Sequence, residues 1–174
     1  QPLLNGDKSL GFVGLANPQR IIEVKIPVVM DDGTKRVFHG FRAQHNDARG
    51  PFKGGFRFII TDDASAETKE GILKAQKEAS GLADFMSKKT AVVKVPFGGG
   101  KGDIIIVVKK GEGLSKGELE RLTRGFPRAM LAEDINAIGP LKDIPAPDMY
   151  TGAREMGWFK DEYIKVLQER GRQL

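Results

Sequence analysis

Two apolar, β-branched runs, RIIEVKIPVVM at residues 20–30 and TKRVFHGFRAQH at residues 34–45, stand on either side of Asp31-Asp32-Gly33. An Asp-Gly pair between alternating segments favours a tight turn, because glycine accepts the left-handed backbone that such turns need. The spacing predicts a β-hairpin. A hairpin alone is marginal in water, so its apolar face must find further strands or a helix. The chain offers both. GGFRFII, residues 54–60, reads as a third strand. From Ala64 to about Lys88, apolar residues recur at Ile72, Ala75, Ala79, Leu82 and Met86, which is a helical stripe with charges opposite. TAVVKVP (90–96) and DIIIVV (103–108) read as two more strands, with a glycine-rich loop between them. Ser115 and Glu118 have capping-box spacing and open a helix running to about Asp134. DIPAPD, residues 143–148, excludes helix, since each proline also biases its predecessor to extended geometry. A last helix is predicted from Ala153 to Glu169. This order implies an α/β fold, a mixed β-sheet covered by helices. Residues 1–19 have weak periodicity and read as an irregular lead-in to one domain over 20–174.

Composition narrows the chemistry. The 174 residues are 40% hydrophobic, enough for one domain with a real core. The chain has no cysteine, which removes disulfides and thiolate metal sites, and His39 and His45 are its only histidines. No metal site is expected. The net charge of +5 is carried by lysines spread along the chain, without an arginine-rich arm. That pattern reads as a solvated surface, and no nucleic-acid partner is expected. No apolar run approaches bilayer length and no signal pattern opens the chain, so no membrane partner is expected and the setting is read as cytoplasmic.

The stretch VPFGGGKGD, residues 95–103, is the candidate chemical motif. It is not a phosphate-binding loop: Val95 stands where the first glycine belongs, Gly102 replaces the hydroxyl residue, and the continuation is strand-like. No dinucleotide fingerprint stands at a strand-to-helix turn. The plainest reading is a tight turn needing positive φ, with Lys101 in solvent. GPFKGGFRF (50–58) repeats the chemistry, however, with glycines beside Lys53. Lys89 at a helix-to-strand junction adds a third cation, and Asp143 on the rigid DIPAPD segment adds a carboxylate. Three ammonium groups and one carboxylate suit a dicarboxylic acid undergoing proton transfer.

These residues resemble the N-terminal, substrate-binding and assembly domain of glutamate dehydrogenase, in the Glu/Leu/Phe/Val dehydrogenase superfamily. The resemblance rests on RIIEVKIPVVMDDG, GFRAQHNDARGPFKGGFRF, MSKKTAVVKVPFGGGKGD, SKGELERLTRGF, IGP and DIPAPDMYTGAREMGWFKDEY, in family order over roughly residues 20–165. It implies that Lys53 receives the substrate's side-chain carboxylate and Lys89 its α-carboxylate. Lys101 then matches the catalytic lysine and Asp143 the acid/base carboxylate. Gly54, Gly55, Gly99 and Gly100 would let substrate and nicotinamide approach the backbone. The implied partners are glutamate or 2-oxoglutarate and further copies of the chain, from dimer to hexamer. The cofactor of the complete enzyme is NAD or NADP. None is expected on this chain, because no nucleotide-binding domain is recognisable in it.

Two departures stand out. The family usually has glycine where this chain has Asp103, and a carboxylate two residues from Lys101 could pair with it. The absent cofactor domain leaves three readings open: the substrate half of a dehydrogenase, an oligomerisation module without activity, or a dicarboxylate-binding module.

Overall fold

The computed structural model describes residues 17–171. Nearly all of the lead-in expected over 1–19 lies outside the described residues. The hairpin forms as the sequence demands. Strands β1 (Arg20–Val29) and β2 (Lys35–Asn46) pair antiparallel in an unbroken register, from Arg20 opposite Gln44 to Val29 opposite Lys35. Gly33 closes the turn with φ +82°, its N–H donating to the Met30 carbonyl at 3.0 Å. Then follow β3 (Phe52–Thr61), a 3-10 turn (Ala64–Glu67) and helix α1 (Lys69–Val92). Strand β4 (Gly98–Val107), helix α2 (Lys116–Glu133), strand β5 (Asp143–Pro147) and helix α3 (Ala153–Glu169) complete the order.

The sheet runs β1-β2-β4-β3-β5. β2 meets β4 antiparallel, while β3 lies parallel to both β4 and β5. The two parallel partners need long crossovers, which α1 and α2 supply. α1 covers one face, where Ala79 and Ala83 pack with Phe41, Ala43 and Ile105. α2 and α3 cover the other, where Leu122, Phe126, Met130, Phe159 and Val166 meet Val24, Ile26, Phe38, Phe56, Phe58, Ile104 and Ile106. The rings of Phe56 and Phe126 lie 4.9 Å apart. Each fully buried phenylalanine contributes roughly 1.5–3 kcal/mol, so this second face is the main core. The Ser115–Glu118 capping box opens α2 as predicted.

Two expectations fail, and the reasons are physical. TAVVKVP is not a strand: Thr90, Ala91 and Val92 continue α1 beyond Lys88. The Thr90 side chain is buried and its hydroxyl donates to the Ser87 carbonyl at 3.0 Å. The helix penalty for β-branched residues is only about 0.7 kcal/mol each, too little to halt a long, packed helix. Nor is the glycine-rich stretch a loop. Gly98 to Gly102 belong to β4, between β2 and β3, and none of them has positive φ.

Candidate functional site

What the glycines accommodate is protein. A Cβ on Gly99 would stand 2.1 Å from the Ala83 carbonyl oxygen, so α1 rests on bare backbone there. On Gly100 a Cβ would meet Arg42 Nη2 at 2.9 Å, and on Gly102 it would meet Arg42 Cδ at 3.0 Å. Alternation along β4 therefore gives one face to the α1 backbone and the other to a guanidinium. Gly54 is filled by the Gly100 carbonyl, and Gly55 by the carboxylate of Asp148. The bare-backbone approach expected of substrate and nicotinamide at these four glycines is thus taken by the protein's own atoms. β4 is also followed by a turn rather than by a helix N-terminus. Among the described residues, no G-x-G-x-x-G stands between a strand and a helix N-terminus.

Arg42 and Asp143 form one ion pair, wholly buried on the α2/α3 side. Arg42 Nε donates to Asp143 Oδ2 at 2.9 Å and Nη2 to Oδ1 at 2.6 Å. Nη1 donates to the Gly55 carbonyl at 2.9 Å, and Gln44 Nε2 to Asp143 Oδ2 at 2.8 Å. Here the structure departs from the sequence reading: Asp143 is not beside Lys101 but binds β5 to β2 across the sheet.

The carboxylate that meets Lys101 is Asp148, just past the end of β5. Lys101 is 5% exposed, whereas the Asp148 side chain keeps 32% of its surface. Asp148 Oδ1 also accepts the Met149 N–H at 2.7 Å. Burial works against the Asp148 charge. The Lys101 hydrogen bond, the Met149 amide and the charges of Lys101 and Arg57 outweigh it, so the carboxyl sits below its ordinary range. Sequence reasoning missed Asp148. The available signal was that DIPAPD carries two aspartates, and only the second lies outside the strand.

Lys53 lies on β3 opposite Gly99, two residues from the level of Lys101 and on the same face by alternation. It is half-buried, with Nζ 5.8 Å from the Phe97 ring centre. Lys89 is exposed in the last turn of α1, two residues beyond Ser87, which touches Gly99. Lys53, Lys101 and Asp148 are thus gathered on the α1 face, with Lys89 at the end of the covering helix. His45 Nδ1 lies 2.8 Å from Ser87 Oγ, fixing that end of α1 to β2.

Asp103 does not pair with Lys101. Arg57 Nε donates to Asp103 Oδ1 at 2.8 Å, and Arg57 Nη2 donates to Glu78 of α1 at 2.8 Å. Burial raises the Asp103 carboxyl above its ordinary value against the pull of Arg57 and Lys101. An apolar cavity of about 510 Å³ between β5 and α3, with Ile144, Pro145, Phe159 and Tyr163 in its wall, includes neither Lys101 nor Asp148.

Residues 18–165 match the family described as Glu/Leu/Phe/Val dehydrogenase, dimerisation domain. The chain is 43% identical over 166 residues to the catabolic NAD-specific glutamate dehydrogenase RocG of Bacillus subtilis, covering 92% of this chain and 35% of that protein. It is 43% identical over 149 residues to the NAD-specific glutamate dehydrogenase of Staphylococcus aureus (strain COL), covering 86% and 31%. Among solved structures, glutamate dehydrogenase from Peptoniphilus asaccharolyticus superposes with TM-score 0.74 at 40% identity, over 95% of this chain and 37% of that one. The hetero-hexameric glutamate dehydrogenase from Thermus thermophilus gives 0.70 at 36%, over 97% and 35%. The chain spans about a third of the length of the curated relatives it matches.

Proposed function

The chain belongs to the Glu/Leu/Phe/Val dehydrogenase family, and from that premise we propose that it is the substrate-binding and assembly domain of an NAD(P)-dependent glutamate dehydrogenase. The complete enzyme would interconvert L-glutamate with 2-oxoglutarate and ammonia in the cytoplasm, as a homo-oligomer. The observation that carries this reading is the Lys101–Asp148 pair, desolvated on one side and open on the other, with Lys53 on the same face.

Lys53 and Lys89 supply the two cations that a dicarboxylate needs, the first for its side-chain carboxylate and the second for its α-carboxylate. Lys101 holds the reacting carbon's nitrogen or oxygen substituent and exchanges a proton with it. Asp148 is the acid/base carboxylate, the role that the sequence resemblance gave to Asp143. A proton passing from Lys101 Nζ to Asp148 has one hydrogen bond to cross. The nicotinamide cofactor of the complete enzyme, NAD or NADP, supplies or accepts hydride. Catalysis by these residues alone is not part of the reading.

The test is calorimetric titration of the chain with 2-oxoglutarate. Charge-assisted hydrogen bonds are worth about 1.5–3 kcal/mol each. Lys53→Glu combined with Lys89→Glu should therefore weaken binding by more than roughly tenfold. Binding that survives in the double variant overturns the assignment.

A further inference from the structure

On the α1 face, the register of β3 and β4 sets four charges at the corners of a square. Arg57 lies opposite Asp103 and Phe56 opposite Gly102, which leaves Gly55 level with Lys101. The Asp148 carboxylate fills the place of the missing Gly55 side chain, and a Cβ there would overlap it. One rung therefore carries Lys101 from β4 and Asp148 over β3. The next, about 6.6 Å along the strands, carries Asp103 on β4 and Arg57 on β3. Signs alternate across each rung and along each strand.

The second rung is closed to solvent and internally matched. Asp103 is wholly buried and Arg57 is 7% exposed. Arg57 Nε donates to Asp103 Oδ1 at 2.8 Å, and Nη2 donates to Asp103 Oδ2 at 3.4 Å and to Glu78 Oε1 at 2.8 Å. Both Asp103 oxygens accept from the guanidinium, which is how an ionised carboxylate meets arginine. The fields also reach from rung to rung, that of Arg57 falling on Asp148 and that of Lys101 on Asp103.

We propose that Asp103 sets the affinity of this face for a dianion by masking Arg57, the cation one rung behind Lys101. The inference rests on reading the face as a dicarboxylate site, and it makes Asp103 a positioning residue that acts through Arg57 without touching the ligand. With Asp103 in place, the Arg57–Asp103 rung has no net charge, and a dicarboxylate meets Lys53 and Lys101 alone on the sheet. Without the Asp103 charge, the guanidinium has two courses. It can keep its place, and then an unmatched cation stands behind Lys101. It can instead turn to Asp148 on the neighbouring rung, and then Lys101 presents an ammonium with no carboxylate beside it. By either course the face gains one positive charge. Masking has a use: a cation that held substrate and product equally would tighten both without speeding the chemical step.

Calorimetric titration of the whole chain with 2-oxoglutarate tests it. Asp103→Asn is expected to bind the dianion roughly tenfold more tightly than the parent, and the monoanion pyruvate about threefold more tightly. Glu78→Gln removes the other, solvent-screened partner of Arg57, whose side chain is 58% exposed, and should tighten 2-oxoglutarate binding about twofold. Arg57→Gln combined with Asp103→Asn takes away one charge of each sign and should return affinity to within about twofold of the parent. A folded Asp103→Asn whose affinity is unchanged or lower overturns the masking role, because a merely structural Asp103 can only lose binding when it is replaced. A double variant as tight as Asp103→Asn overturns it too, since Arg57 is then not the cation released. If Asp103→Asn does not fold, Glu78→Gln decides, and unchanged binding there overturns the proposal. Absence of 2-oxoglutarate binding in the parent and in every variant overturns the dicarboxylate reading itself, and this inference with it.

Discussion

Two ion pairs lie on opposite faces of β4, and they differ in what they leave unsatisfied. In Arg42–Asp143, both carboxylate oxygens and all three guanidinium nitrogens have protein partners, and neither side chain touches solvent. In Lys101–Asp148, the ammonium has one hydrogen-bond partner among the described residues with donors to spare, and the carboxylate keeps a third of its surface. The glycines separate the two environments. Gly100 and Gly102 make room for the guanidinium on one side, and Gly55 makes room for the Asp148 carboxylate on the other. A saturated pair can only hold the fold. An unsaturated one, partly desolvated, can still bind and exchange a proton with something else.

The largest effect should come from breaking the saturated pair. Asp143→Ala strands a fully buried guanidinium, and losing one partner of such a pair costs about 3–5 kcal/mol. Lys101→Ala should cost about 1 kcal/mol or less, because Asp148 can turn to water. Urea unfolding of both variants gives the contrast directly. Should the order be reversed, with Lys101→Ala the costlier change, the division into fold pair and site pair is wrong.

That division could not be read from the sequence, although much around it could. The hairpin, the capping box of α2 and the bounds of α3 were all legible, because each is set by residues within one turn or one strand of each other. What escaped was long-range. Arg42 and Gln44 sit in an alternating strand and look like solvent-facing residues, yet they meet Asp143 about a hundred positions away. Asp143 and Asp148 are chemically equivalent in DIPAPD until the sheet decides which face each one serves. The glycines announced a close approach correctly, but not that α1 and Arg42 were the visitors. Likewise Asp103 looked like a neighbour of Lys101, and Arg57 on the adjacent strand claims it instead.

A middle-sized effect sharpens the comparison through pH. The Asp148 carboxyl is held below its ordinary value of 3.8 in the fold, so its contribution to stability is present above that value. It is lost as pH falls through the lower, folded value. Asp103 runs the other way: its folded value is raised, so protonation on acidification favours the fold at that position. Asp148→Asn should therefore reduce the fall in Tm between pH 6 and pH 3, and Asp103→Asn should steepen it. Thermal melts at both values check the signs. Equal slopes in the two variants would mean that neither carboxylate is coupled to its cation as the geometry indicates.

The smallest effect concerns how each aspartate is carried. Asp143 sits in extended β5, whereas Asp148 begins a turn closed by the Thr151 N–H donating to its carbonyl at 3.0 Å. The third residue of that turn, Tyr150, has φ +62°, a region that suits glycine or asparagine. A left-handed residue with a bulky side chain costs about 1–2 kcal/mol, and Tyr150 is 64% exposed, so little packing offsets it. Tyr150→Asn should then raise stability by roughly 0.5–1 kcal/mol in urea unfolding. If 2-oxoglutarate binding weakens in the stabilised variant, the strain serves to aim Asp148, since Thr151 also anchors the turn to the Phe56 carbonyl on β3. Stability gained with binding unchanged would make the strain incidental, and the two aspartates would then differ only in their partners.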